Sequence, residues 1–263
     1  MKDHREEELS GGNVSNVYRV GDTVRRDLKE NSSRIHSVLT HLEKKGFPYA
    51  PKFLGIDDQN REILSFIDGE AGNYPLKSYM WSDDNLAEIA KMLRRYHDAM
   101  SDFPIEEGWE PIDHTPPPFE VLCHNDFAVY NLIFHNKKPA GIIDFDVVAP
   151  GPRLWDIAYA LYTCVPLSRH WHTENGETIL YEPSKDAGRI RRKVQVFFDS
   201  YGMEELKEGL IEMVMLRLAG LCATMRRKAD EGDAAFQKMI EERHDEHYQK
   251  DIAFIREHGT EWV

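Results

Sequence analysis

The chain has few cysteines, a deficit of positive charge and no long apolar run. Its three cysteines (Cys123, Cys164 and Cys222) stand far apart in apolar surroundings. This is typical of buried thiols in a reducing compartment and argues against a disulfide framework or a zinc site. No apolar stretch approaches the roughly 20 residues that span a bilayer, and the polar N-terminus lacks the apolar centre of a signal peptide. We therefore expect a cytoplasmic protein without a membrane partner.

Acidic residues outnumber basic residues, and this excess bears on which ligands the protein can bind. The sequence has 33 basic and 46 acidic residues and a formal net charge of −13. Such a balance argues against a nucleic-acid partner and favours cationic ligands, although solubility alone explains it equally well. The chain has 263 residues, of which 41% are hydrophobic and 30% charged. It is therefore long enough for one large or two-lobed domain with an ample core.

The densest cluster of polar functional groups lies between residues 121 and 146. Turn residues bound three short apolar runs that are typical of strands: Val121–Cys123, Leu132–Phe134 and Gly141–Ile143. Asp126, Asn131 and Asp144 stand near the ends of these runs. Because short strands of this kind present their polar ends at one rim of a sheet, we expect these three side chains to converge.

The chemistry of such a site follows from its donor atoms. Two carboxylates and an amide supply oxygen ligands, which suit Mg²⁺, a cation that keeps water and phosphate oxygens in its shell. A carboxylate beside the metal can also accept a proton from an attacking hydroxyl. Turn residues are common at strand ends for other reasons, but two spaced motifs in this order favour a catalytic interpretation.

Two motifs, HNDFAVYN at 124–131 and DFD at 144–146, resemble the phosphoryl-transfer motifs of protein kinases. Asn125 stands where protein kinases have arginine, and Asp146 stands where they have glycine. With WDIA at 155–158, these differences make the chain resemble the aminoglycoside phosphotransferase and choline kinase-like family. The resemblance covers most of the chain.

The resemblance implies an α+β fold that is bilobal and protein-kinase-like. Residues 1–68 would form a nucleotide-binding lobe with a small five-stranded antiparallel sheet and one helix. Residues 69–263 would form a larger, mainly helical lobe that carries the catalytic and acceptor-binding residues. Capping residues and helical spacing of apolar residues predict these helices: Ser32–Lys45, Asp84–Met100, Arg153–Tyr162 and segments near 185–200, 203–228 and 232–257.

The resemblance also implies roles for single residues. Asp126 would orient and deprotonate the acceptor hydroxyl, and Asn131 and Asp144 would bind Mg²⁺. A cation on the third strand would hold the phosphates of ATP. The match places Arg26 there, with Arg25 as the alternative because adjacent strand residues face opposite sides.

Further nucleotide contacts are expected from a turn and a hinge. A Gly-Gly turn followed by small polar residues can direct backbone N–H groups at phosphates, although most such turns bind nothing. The residues concerned are Gly11, Gly12, Ser15 and Asn16. Backbone groups of Ser65 and Ile67 would bind the purine at the hinge. The family's helix glutamate, which pairs with the strand cation, falls on His36, so either His36 has another role or the pair is absent.

We therefore predict a phosphotransferase that uses ATP and Mg²⁺ to phosphorylate a hydroxyl of a small, cationic molecule, such as an aminoglycoside or an amino alcohol. Two alternatives remain open. A nucleotide-binding scaffold without strong activity would agree with His36 and with the missing strand lysine. A metal-dependent hydrolase would use these residues: His124, Asp126, His135 and Asp144.

Overall fold

The structure is a computed structural model that describes residues 6–9, 17–105 and 108–263. Within these ranges the chain forms seven α-helices and twelve short β-strands. The α+β class and the division into a small sheet lobe and a larger helical lobe, both predicted from the sequence, are confirmed.

The N-terminal lobe is built on a five-stranded antiparallel sheet. Its strands are β1 (Glu7–Glu8), β2 (Val17–Val20), β3 (Thr23–Asp27), β4 (Phe53–Ile56) and β5 (Arg61–Ser65). They lie in the order β1-β2-β3-β5-β4, so β3 occupies the centre. Helix α1 (Ser32–Lys44) follows β3, buries its apolar stripe and ends before Gly46, whose φ of +71° is a left-handed conformation that favours glycine.

The larger lobe contains the other six helices of the described ranges: α2 (Asp83–Met100), α3 (Arg153–Cys164), α4 (Pro183–Tyr201), α5 (Leu210–Asp230), α6 (Ala234–Glu241) and α7 (His244–His258). The single helix predicted near 232–257 was wrong. Arg243 has a φ of +61°, and this left-handed residue separates α6 from α7. The helix predicted from residue 203 begins as a 3₁₀ helix at Glu204–Gly209 before α5.

Short strands between α2 and α4, with one that precedes α2, position the polar motifs of the sequence. These strands are β6 (Glu70–Ala71), β7 (Val121–Cys123), β8 (Leu132–His135), β9 (Lys138–Ile142), β10 (Ala149–Gly151), β11 (His170–His172) and β12 (Thr178–Leu180). Strand β7 pairs with β10, and β8 lies between β6 and β9. The end of β7, the start of β8 and the end of β9 therefore carry the polar residues singled out in the sequence.

Helix α3 forms the centre of the larger lobe. Ten of its 12 residues are buried, and a helix that is apolar around most of its surface belongs in a core. Trp155 is fully buried in it, and so is one charged residue, Asp156. No helix in the described part of the chain combines the length and apolar character needed to cross a membrane.

Candidate active site

The three residues predicted to share a site lie together at the ends of β7, β8 and β9. The Asn131 side-chain amide donates to Asp126 Oδ2 over 2.7 Å. The backbone N–H of Ile143 donates to the carbonyl oxygen of Asn131 over 3.0 Å, which brings Asp144 beside both residues. The convergence expected from the strand ends is therefore present in the structure.

Asp144 is a carboxylate that has no close cationic partner among the described residues. Its φ is +65°, an uncommon conformation for a residue with a side chain. Although the side chain is 48% exposed, its nearest cationic partner in the described residues is Arg26, at 3.8 Å. Asp144 lies in the cleft between the two lobes, opposite Arg26. Partial desolvation there, together with the negative charges of Asp146 and Asp126, raises the pKa of Asp144 from 3.8 to about 6.

The amide of Asn131 complements this carboxylate. Its nitrogen donates both to the carbonyl oxygen of Asp126 (3.0 Å) and to Asp126 Oδ2 (2.7 Å). The amide oxygen accepts no hydrogen bond from the described residues, so this is the atom that Asn131 can offer to a metal ion. Asn131 and Asp144 thus present oxygen atoms only, and this donor set fits Mg²⁺.

Asp126 has a second partner that the sequence did not predict. The Tyr130 hydroxyl lies 2.7 Å from Asp126 Oδ1 and 2.9 Å from the hydroxyl of Tyr159. Burial raises the pKa of Tyr130, so the phenol keeps its proton and donates to the carboxylate. Both Asp126 oxygens are therefore held in place, as the orientation of a general base requires.

The loop before Asp126 is fixed from below by α3. Asp156 accepts the backbone N–H groups of His124 (2.7 Å) and Asn125 (2.8 Å) and a hydrogen bond from His97 (3.1 Å). Burial acts to raise the pKa of Asp156, but these hydrogen bonds and the nearby imidazoles hold it below its usual value.

Asn125 and His124 also have structural partners. Asn125 has a φ of +63°, its amide donates to the Val147 carbonyl (2.9 Å), and its side-chain oxygen accepts from Trp155 Nε1 (2.9 Å). The backbone N–H of Asp126 donates to His124 Nδ1 over 3.3 Å. Burial lowers the pKa of His124, which favours a neutral imidazole that braces the loop.

A buried arginine on α5 supports the same loop, and no pattern in the sequence indicated it. Arg217 is 3% exposed and donates from Nη2 to the carbonyl oxygen of Asn125. Its guanidinium lies 4.3 Å from the ring centroid of Tyr159 and 5.4 Å from that of Trp155. In the sequence it is a single basic residue among apolar ones on a helix, a pattern that usually indicates a surface position.

The strand cation that faces the cleft is Arg26. Its Nη2 lies 2.8 Å from Asp146 Oδ1, and its Nε lies 2.5 Å from Glu62. Burial acts to lower the pKa of Arg26, but the carboxylates of Asp146 and Glu62 hold it above its usual value. Arg25 points elsewhere, since its guanidinium contacts Thr23 (2.7 Å) and Asp57 (3.5 Å).

Asp146, the residue that replaces the glycine of the protein-kinase motif, is held by a second cation. Lys29 Nζ lies 2.5 Å from Asp146 Oδ2, and the Asn31 side chain donates to the Asp146 carbonyl oxygen over 2.7 Å. Lys29 and Asn31 follow β3 in the N-terminal lobe, so both lobes contribute to this cluster. Lys29 was not among the predicted nucleotide-binding residues.

The other residues predicted to contact the nucleotide belong to the glycine turn and to the hinge. Gly11, Gly12, Ser15 and Asn16 lie outside the described residues. The backbone N–H of Ser65 donates to the carbonyl oxygen of Lys52 over 2.9 Å. Ile67 is the second residue after β5 and takes part in none of the hydrogen bonds of the described residues.

The constellation required by the hydrolase alternative does not form. His135 ends β8, four residues beyond Asn131, which is about 13 Å along an extended strand. Its ring is 47% exposed and lies 3.1 Å from Asp68. The hydrolase is therefore not favoured.

Comparisons with known proteins agree with this geometry. Residues 105–190 match the family described as "Phosphotransferase enzyme family". The family resemblance is confirmed. The match covers the two motifs and α3, and it supports a phosphotransferase of the aminoglycoside phosphotransferase and choline kinase type.

One curated relative of this chain is the trifolitoxin immunity protein of Rhizobium leguminosarum bv. trifolii. It is 34% identical over 148 residues, which are 54% of this chain and 55% of the relative. The chain thus matches only about half of the length of that relative.

Two solved structures share the fold of this chain. The Plasmodium vivax ethanolamine kinase has a TM-score of 0.62 and 16% identity, with 98% of this chain and 84% of that chain covered. The ternary complex of streptomycin, ATP and APH(2″)-IIa has a TM-score of 0.53 and 15% identity, with 84% of each chain covered.

Proposed function

We propose that the protein transfers the γ-phosphoryl group of ATP to a hydroxyl group of a small molecule. The observation that carries this proposal is the convergence of Asp126, Asn131 and Asp144 at one end of the cleft, with Arg26 at 3.8 Å from Asp144. In this proposal residues 1–68 hold the nucleotide, and residues 69–263 supply the catalytic and acceptor-binding groups.

Each residue has a distinct part in the proposed reaction. Asp126 orients the acceptor hydroxyl and accepts its proton. Asn131 and Asp144 hold Mg²⁺, which when bound offsets negative charge on the phosphates. Catalysis then depends mainly on positioning and charge stabilisation, because the loose transition state of phosphoryl transfer needs little covalent assistance.

The nucleotide site of the proposal extends from β3 to the hinge. Arg26 binds the phosphates, and so do backbone groups of the turn at these residues: Gly11, Gly12, Ser15 and Asn16. Ser65 and Ile67 bind the purine edge through the backbone. One of the neighbouring structures is a complex with ATP, which supports this choice of nucleotide.

The acceptor is proposed to be a hydroxylated amine. The net charge of −13 favours a cation, and the names of the two neighbouring structures include an amino alcohol and an aminoglycoside. The curated relative is named for immunity to a toxin. Hydroxyl-bearing toxins therefore belong in the acceptor screen beside amino sugars, amino alcohols and nucleosides.

The test is release of ADP from Mg·ATP, measured with and without each candidate acceptor. Stimulation by an acceptor, with transfer of label from the γ-phosphate to that acceptor, is the expected result. Tight nucleotide binding without turnover on any acceptor would favour the scaffold alternative. The matched control is Asp126→Asn, which should retain nucleotide binding and lose the stimulation.

A further inference from the structure

Strand register places a second charged residue directly opposite Arg26. Glu62 on β5 is the cross-strand partner of Arg26 on β3. Residues directly opposite in an antiparallel pair project from the same face, with Cβ atoms about 5 Å apart. Glu62 and Leu64 alternate as the buried positions of β5, so Glu62 points inward, into the core side of the lobe.

Glu62 is an unusual residue for that position. Its side chain is 0% exposed, and a buried carboxylate is costly unless charged or polar partners surround it. Both oxygens have such a partner. Oε1 accepts from Arg26 Nε over 2.5 Å, and Oε2 lies 2.7 Å from His36 Nε2.

The contact with Glu62 fixes the orientation of the Arg26 guanidinium. Glu62 binds Nε, so the two terminal nitrogens are directed to the cleft, where Nη2 lies 2.8 Å from Asp146 and Nη1 lies 3.8 Å from Asp144. Because the guanidinium is planar and rigid, holding one edge determines where the other edge points.

His36 holds the carboxylate from the other side. It lies on α1, where the family has the glutamate that pairs with the strand cation. Its ring stacks on Phe53 with centroids 3.7 Å apart and planes 13° apart, and its Nε2 faces Glu62. A histidine cannot supply the negative charge of a glutamate. Here, however, the His36 ring holds the Glu62 carboxylate in position.

We propose that Glu62 has taken over the task of the helix glutamate, so that Arg26 is positioned for phosphate by a carboxylate on the neighbouring strand, which His36 holds in place. Glu62 is thus a positioning residue that acts through Arg26. This inference rests on the proposed function.

The test moves the carboxylate back to the helix. Glu62→Gln removes the charge at nearly constant shape, and His36→Glu with Glu62→Gln restores a carboxylate from α1. Affinity is measured calorimetrically for Mg·ATP or Mg·GTP, whichever wild type binds more tightly, and for the matching nucleoside. The nucleoside lacks phosphates, so a general distortion of the lobe lowers both affinities, whereas misplacement of Arg26 lowers only that for the nucleotide.

The matched control is Asp57→Asn. Asp57 is the carboxylate partner of Arg25, the neighbouring arginine that points away from the cleft. This control should bind both ligands as wild type does. Glu62→Gln should lose about 10- to 100-fold in nucleotide affinity, as expected for a charged hydrogen bond, and should keep its nucleoside affinity. The double variant should bind nucleotide within about threefold of wild type.

The outcomes separate the inference from the function on which it rests. Nucleotide affinity of Glu62→Gln within twofold of the control, while wild type binds tightly, overturns the inference alone. If Glu62→Gln loses nucleoside affinity as much as nucleotide affinity, the inference is also overturned. If wild type binds no nucleotide, both proposals fail. If Glu62→Gln does not fold, the double variant decides: affinity near that of wild type supports the inference, and a loss above tenfold in folded protein overturns it.

Discussion

At the scale of single residues, the neighbouring carboxylates Asp126 and Asp144 have different surroundings, which suit different roles in the proposed reaction. Asp126 accepts hydrogen bonds from Asn131 and Tyr130 at 2.7 Å each, whereas Asp144 has only a 3.8 Å approach from Arg26 among the described residues. The first is oriented as a base needs to be, and the second can bind a cation. Substitution can separate these tasks.

Asp126→Asn should preserve the fold and the affinity for Mg·ATP but lower turnover by about 10²- to 10⁴-fold, the usual contribution of a general base. The asparagine keeps the shape and much of the hydrogen bonding, and it removes only the proton acceptor. Steady-state kinetics measures the turnover, and calorimetry on the same preparation measures the affinity for Mg·ATP. Turnover equal to that of wild type contradicts the assignment, and an equal loss of nucleotide affinity assigns Asp126 to the metal instead.

Asp144→Asn should abolish Mg²⁺-dependent nucleotide binding and at the same time stabilise the metal-free protein. The pKa of Asp144 is raised to about 6, so its ionised form lowers the free energy of unfolding above that pH. The stability of wild type in EDTA should therefore rise as the pH falls from 7 towards 5. The gain of the variant in melting temperature should shrink over the same range. A variant less stable than wild type at pH 7 would contradict this account.

At the scale of elements, β3 shows what the sequence can predict. The alternation of side chains along a strand predicts that only one of Arg25 and Arg26 faces the cleft, and the structure places Arg26 there. Glu62 was not predicted as its partner, because the register between β3 and β5 joins residues 36 apart in the chain. The clue was a charged residue at an inward position of the alternating segment REILS.

The helices also show that features set by the local sequence can be predicted, whereas features set by contacts between distant residues cannot. Periodicity predicts α2, α3 and α4 because each buries one apolar surface or, for α3, nearly all of it. The break between α6 and α7 was missed because it occurs at Arg243, without a glycine or proline. Tyr130 and Arg217 were missed for another reason, since their roles depend on which loops and helices pack together.

Arg26→Ala should raise the KM for ATP by about 10- to 100-fold, because a charged contact with phosphate is lost. Arg25→Ala is the matched control and should change this KM little, since Arg25 contacts Thr23 and Asp57 instead. Arg26→Lys should retain more activity than Arg26→Ala, because it restores the charge without the two-pronged geometry. A larger effect from Arg25→Ala would show that the other arginine binds the phosphates.

Asp156→Ala should lower the free energy of unfolding by at least about 3 kcal/mol, because two buried backbone N–H groups and His97 lose their acceptor. Chemical denaturation measures this loss. The pKa of Asp156 is below its usual 3.8, so the stabilisation is present above that pH and disappears as the pH falls through the lower, folded-state value. A difference between wild type and variant that grows on acidification would contradict this sign.

At the scale of the whole molecule, the excess of acidic residues does not by itself define the acceptor pocket. The acidic residues of the 3₁₀ helix and the start of α5 are exposed: Glu204, Glu205, Glu208 and Glu212. Glu204 binds Lys207 and Gln195 rather than facing the catalytic loop. These four residues therefore form an exposed acidic surface.

The KM for a cationic acceptor should rise with ionic strength, because salt screens an attractive field over a Debye length of about 8 Å at physiological concentrations. The comparison is made at saturating ATP, since the nucleotide is an anion and responds to salt with the opposite sign. A neutral acceptor of similar size serves as the control. A KM that ignores salt, or a productive acceptor that is neutral or anionic, would assign the acidity to solubility.

The cluster around Asp146 has a consequence for the proposed binding of a nucleotide. Arg26 and Lys29 contact its two oxygens at 2.8 and 2.5 Å, so Arg26, the cation proposed to bind phosphate, already pairs with an anion. In the proposed reaction, Asp146 and the phosphates of an incoming nucleotide would therefore compete for Arg26. Nucleotide binding would replace the contact of Arg26 with Asp146 by a contact with phosphate. The net gain in affinity would be the difference between the free energies of these two contacts. After the proposed transfer, the return of Arg26 to Asp146 would favour release of the nucleotide product.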